Sequence, residues 1–178
     1  MKHLNDYITE KLRINSKIKL ADTIVPQSRD ELRNIIKNKI DLDKNANLNN
    51  IDVSLVNDMR SLFKGLDPHK IDISEWDVSN VTHMQSMFYD CKNLECDLSK
   101  WDVSKVKTMS YMFSGCCKFN CNLSNWNISN CEYIDYMFYN CRNFNSKDLY
   151  KWNINKIRSM TEIFTHCDSL KNIPDWYI

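Results

Sequence analysis

The residues most able to do chemistry in this sequence are eight cysteines and four histidines. Cys91 with Cys96 and Cys116 with Cys121 have the short spacing of thiolate metal ligands. A tetrahedral zinc site, however, needs about four converging ligands. The second member of each pair becomes Ser146 one unit later and Ile71 one unit earlier, and no histidine recurs with them. The thiols therefore read as structural, with Cys117 as the candidate for an exposed one, and no metal or other cofactor is expected. His3, His69, His83 and His166 are scattered, and none sits in a nucleophile, phosphate-loop or metal motif. Two rows of short polar residues remain. Asp52, Asp77, Asp102, Asn127 and Asn153 form one; Asn47, Asp72, Asp97, Asn122 and Asp148 form the other. Acid catalysis or calcium binding would need convergent carboxylates. A carboxylate that is replaced by an amide in register instead fits side-chain bonding to the backbone of a turn. The expectation is a protein that is not an enzyme.

The elements that carry these residues repeat. Trp76, Trp101, Trp126 and Trp152 are spaced by 25, 25 and 26 residues, with Ile51 in the corresponding place one unit earlier. Each opens a phrase such as Trp76-Asp77-Val78-Ser79, followed by Val81, Met84, Met87, Phe88 and Cys91. Spacings of three and four predict one apolar face of a helix in every unit, capped by serines such as Ser79 and Ser104. Leu94 and Leu98, and their counterparts in later units, mark the strand candidates. Stacking the units would align rows of Trp76, Trp101, Trp126 and Trp152, of Phe88, Phe113, Phe138 and Phe164, and of Cys91, Cys116, Cys141 and Cys167, with Leu66 in the first cysteine place. The fold predicted is an α/β repeat solenoid of about five 25-residue units.

The Trp-Asp-Val-Ser phrase, the Met87-Phe88-Tyr89-Asp90-Cys91 turn and the 25-residue period resemble the repeats of mycoplasma lipoproteins and of BspA-like bacterial surface proteins. The resemblance covers roughly Ala46 to the C-terminus. It implies a right-handed, leucine-rich-repeat-like stack without cofactor or catalytic residues, in a family whose members bind partner proteins. The leader from Leu4 to Asn15 is similar to the starts of proteins from phages of gut bacteria. That likeness implies a phage-encoded member acting on a bacterial host protein, or a structural or cargo component of a virion.

Three segments follow: an amphipathic leader over 1–20 with Leu4, Tyr7, Ile8 and Leu12 on one face, a capping helix and linker over 21–45, and the repeats over 46–178. Ser28 with Glu31 forms a capping-box pattern ahead of Leu32, Ile35, Ile36 and Ile40, which predicts the cap helix at Ser28 to Lys39. No apolar run suits a membrane span, and the first residues lack a signal-peptide pattern, so a cytoplasmic protein is expected. Lys and Arg total 24 against 23 Asp and Glu, a balance that offers no basic field for nucleic acid. The outward positions are rich in tyrosine: Tyr89, Tyr111, Tyr133, Tyr136 and Tyr139. Tyrosine supplies a large contact area with a polar tip. The functional expectation is a monomer that binds a protein partner through its lateral surface.

Overall fold

Every repeat phrase begins with the same side-chain turn. The Asp or Asn oxygen accepts the backbone N–H two residues on: Asp52 from Ser54, Asp77 from Ser79, Asp102 from Ser104, Asn127 from Ser129 and Asn153 from Asn155, all at 3.0–3.1 Å. Asn47, Asp72, Asp97 and Asn122 do the same for Asn49, Ser74, Ser99 and Ser124. The turn uses an oxygen that carboxylate and amide both possess, which explains their exchange along each row. Ser79 and Ser104 thus contribute their backbone N–H groups to these turns and cap no helix.

The computed structural model describes residues 22–146 and 149–177. The leader over 1–20, Asp148 and Ile178 lie outside the described residues. Within them the expected α/β solenoid of leucine-rich-repeat type does not form. There is one α-helix, α1 (Arg29–Leu42), one short 3-10 turn (Leu149–Lys151), and no extended strand or sheet. Strand-like pairing between adjacent units is confined, among the described residues, to isolated parallel bridges, along the column Asp58, His83, Thr108, Tyr133 and Ser159 and at a few other places.

The reason lies in the segments read as helical. In the second unit the N–H groups of Met87, Tyr89 and Cys91 close tight turns onto the carbonyls of Met84, Ser86 and Phe88. The intervening N–H groups of Met84, Ser86, Phe88 and Asp90 instead donate to Thr108, Ser110, Met112 and Ser114 of the next unit, at 2.8–3.0 Å. A helix would direct all of them to its own carbonyls. Two positions per unit also have positive φ: Ser61, Ser86, Tyr111, Tyr136 and Glu162 in one row, Gly65, Asp90, Gly115, Asn140 and His166 in the other. Two left-handed residues four positions apart stop a right-handed helix. Consecutive turns nonetheless bring residues three and four apart to one side, so the periodicity alone matches both forms.

The coils stack in register around rows of identical side chains. Trp76 lies 6.3 Å from Trp101 with rings 6° apart, and Phe88, Phe113, Phe138 and Phe164 follow one another at 5.5–5.9 Å. These rows are buried, as are Cys91, Cys116, Cys141 and Cys167. Each indole N–H also reaches back one coil. Trp76, Trp101, Trp126, Trp152 and Trp176 donate to the carbonyls of Leu48, Ile73, Leu98, Leu123 and Leu149 at 2.9–3.1 Å.

α1 precedes the first coil and begins where the capping pattern predicts, but extends three residues past the expected end at Lys39. The Ser28 hydroxyl accepts the Glu31 N–H, while Leu32, Ile36 and Ile40 face the core. In the first coil the carbonyls of Arg60 to Lys64 include those that later coils offer to the coil before them. Here Arg29 donates to Arg60, and Arg33 donates to Ser61, Leu62 and Lys64 at 2.6–2.8 Å. Two guanidinium groups of α1 therefore substitute for the missing backbone donors.

Candidate functional site

Four of the five expected tyrosines come together. Tyr111 and Tyr136 stack with ring centroids 4.8 Å apart and planes 9° apart. Tyr89 lies 6.4 Å from Tyr111, and Tyr139 packs edge-on to Tyr136 at 5.8 Å. The strip is extended at both ends: the Lys64 ammonium sits 4.7 Å from the Tyr89 centroid, and His166 meets Tyr139 edge-on at 5.5 Å. Tyr133 makes no ring contact with the other four among the described residues; it stands in the bridge column, 41% exposed. Tyr111 is 39% exposed. The Glu162 carboxylate beside Tyr136 raises its phenol above the ordinary value.

The backbone beneath the stacked pair is unusual. Tyr111 has φ 60° and Tyr136 φ 54°, where the first two coils place Ser61 and Ser86. A bulky residue in the left-handed region costs roughly 1–2 kcal/mol. Two such residues in adjacent coils, Tyr111 exposed and Tyr136 half-buried, hold their rings parallel.

The cysteines form a different kind of site from any that reactivity would use. The thiols of Cys91, Cys116, Cys141 and Cys167 reach the carbonyls of Phe63, Phe88, Phe113 and Phe138 in the preceding coil, at 2.8–3.4 Å. Such a thiol must remain protonated to donate. Burial pushes Cys91 and Cys167 up to about 12 and Cys131 to about 11. Cys121 has another task. Its sulfur accepts the Leu98 N–H at 3.3 Å, and the Ser146 hydroxyl accepts the Leu123 N–H at the same distance one coil later. The exchange of cysteine for serine in this row preserves an acceptor. Cys117 is only partly buried. No group of three or more His, Cys, Asp or Glu able to hold a metal is present among the described residues, and none of their helices is long and apolar enough to cross a membrane.

A recess of about 700 Å³ opens along another column, lined in part by Lys70, Asp72, Cys96, Asp97 and Lys100. Asp72 and Asp97 are already engaged by Ser74 and Ser99. A smaller recess lies beside Tyr133 in the bridge column.

The family model described as "Mycoplasma protein of unknown function, DUF285" matches residues 30–147 and again 67–177. The chain belongs to this family. No curated protein and no solved structure matches it. The resemblance to mycoplasma repeats is thus borne out at the level of the family. Within the DUF285 repeat of this chain, the tryptophan and cysteine rows bond one coil to the next, whereas the tyrosine strip occupies outward positions that change from coil to coil.

Sequence reasoning found the tyrosines but missed the ends of the strip, Lys64 and His166, and the left-handed rows. A signal for the latter existed. The chain has two glycines, and both fall in one repeat position, shared with Asp90, Asn140 and His166.

Proposed function

We propose that the protein is a non-enzymatic interaction module that grips a protein partner with its lateral tyrosine strip. The observation that carries this reading is the stacked pair of exposed Tyr111 and half-buried Tyr136, each on strained left-handed backbone. Serine serves the same turn in the first two coils, so the fold does not require tyrosine there. Strain retained on an outward surface is the mark of a position held for binding. Aromatic rings already fixed by stacking lose little freedom on association and bury a large area. A phage-encoded protein directed at a bacterial host protein is the form of this reading that the leader's resemblance supports.

The test replaces both residues by the serine native to this turn. Tagged wild-type chain and Y111S/Y136S are used to capture partners from bacterial lysate, with mass spectrometry of what is retained. The double variant should melt at the same temperature or higher and lose the specifically retained protein. Identical retention by both chains would overturn the proposal.

A further inference from the structure

The recess beside Tyr133 has a volume of about 360 Å³ and is lined by Arg60, His83, Lys107, Thr108 and Glu132 as well as Tyr133. Its lining precedes the tyrosine strip by three residues in two coils, Thr108 before Tyr111 and Tyr133 before Tyr136. Its polar groups are unevenly satisfied. Arg60 is clamped by Asp58 through Nε and Nη2 at 2.6–3.0 Å. Glu132 holds the Arg158 guanidinium at 3.1 Å. The Nδ1 of His83 lies 2.9 Å from the Thr82 hydroxyl, which leaves its Nε2 for another group. The exposed Lys107 ammonium has neither ion pair nor hydrogen bond among the described residues. Thr108 is 5% exposed, yet its Oγ1 has no hydrogen-bond partner. A buried hydroxyl without a partner is costly and uncommon.

We infer that this recess is a carboxylate subsite, which receives an aspartate or glutamate side chain of the protein segment bound along the tyrosine strip. The inference rests on the reading of that strip as a partner surface. Charge selects the ligand. Arg60 is balanced by Asp58 and Glu132 by Arg158, so Lys107 leaves the recess with a single uncompensated positive charge. A monoanion matches it; a phosphate dianion would bring a second charge without a counterpart. His83 Nε2 and the rotatable Thr108 hydroxyl supply hydrogen bonds beside the ammonium, and Tyr133 covers the aliphatic stem of the incoming side chain.

The probes are N-acetylglutamate amide, its neutral isostere N-acetylglutamine amide, and N-acetylphosphoserine amide, each titrated into the isotopically labelled full chain and followed by NMR. N-acetylglutamate amide should shift the signals of His83, Lys107 and Thr108 in a saturable way, and N-acetylglutamine amide should not. Lys107→Met should weaken this binding roughly tenfold, as loss of one partner from a charge-assisted contact does. Y111S/Y136S should still bind the probe. Equal shifts with the neutral isostere, no localised shift, or tighter binding of phosphoserine would each overturn the carboxylate subsite. If the probe fails while partner capture still depends on the tyrosines, only the subsite is wrong; if the probe binds and capture is independent of them, the partner surface is wrong.

Discussion

A buried cysteine that donates to a carbonyl of the coil below is neither a spare thiol nor a plain apolar filler. This explains why leucine suffices at position 66. α1 rather than a coil lies before the first coil, so no repeat carbonyl awaits a donor there, and the same holds for Ile51 in the tryptophan row. From the second coil onward the thiol adds a second bond to a carbonyl that already accepts a backbone N–H of its own coil, so its removal costs one net hydrogen bond, about 0.5–1.5 kcal/mol. The protonated state has a consequence for pH. In the unfolded chain the thiols ionise near their ordinary value of 9.0, whereas the folded values of Cys91, Cys131 and Cys167 are raised by burial to about 12, 11 and 12. Between these limits the unfolded state holds fewer protons than the folded state. The stabilisation is therefore complete below about pH 9 and is lost as pH rises towards the folded values. Urea midpoints at pH 7, 9 and 10.5 should fall, and fall less in a variant with serine at all three positions. Parallel profiles for the two chains would contradict the account.

The element of this protein is the double turn, and its limits are set at the left-handed positions. Gly65 and Gly115 share a row and a backbone conformation, with φ 77° and 79°. Their surroundings differ. A Cβ at Gly65 would meet nothing within 4 Å, whereas one at Gly115 would stand 3.1 Å from the Asp90 carboxylate and 3.3 Å from the Asp90 Cα. Gly65→Ala should thus cost only the left-handed penalty, about 1–2 kcal/mol. Gly115→Ala adds a contact with the backbone of the neighbouring coil and should cost more. Thermal or chemical denaturation of the two variants side by side decides this, and the reverse order would show that the coils are spaced by something other than these turns.

At the scale of the molecule, stacked coils have polar edges, and the first edge is closed by charge. Arg33 alone donates to three carbonyls of the first coil. Methionine at this position keeps the stem but removes every donor. The variant Arg33→Met should lose about 2–4 kcal/mol, since charge-assisted bonds contribute roughly 1.5–3 kcal/mol each and share one side chain. It should also associate, because bare carbonyls can accept N–H groups from another chain. Light scattering across a concentration series checks the second effect. An unaltered midpoint together with an unaltered mass would mean that the apolar face of α1, and not its arginine, closes the stack.

The sequence by itself determined the 25-residue period, the rows of tryptophan, phenylalanine and cysteine, the turn role of the Asp and Asn rows, and the start of α1 at Ser28. Each depends on identity at fixed spacing or on bonds that close within a few residues. Two matters were decided only by the tertiary structure. Whether Val81, Met84, Met87 and Cys91 ride on a helix or on successive turns depends on where alternate N–H groups find acceptors, and those acceptors lie one coil away. Apolar spacing is blind to that choice. The tyrosine strip was legible as residues but not as a geometry. Tyr111 and Tyr136 become a stacked pair because the coils superpose in register, and Tyr133 is separated from them because the same register carries it to the bridge column. The partners of a row lie one whole coil apart in sequence, and it is the stacking of coils that makes them neighbours.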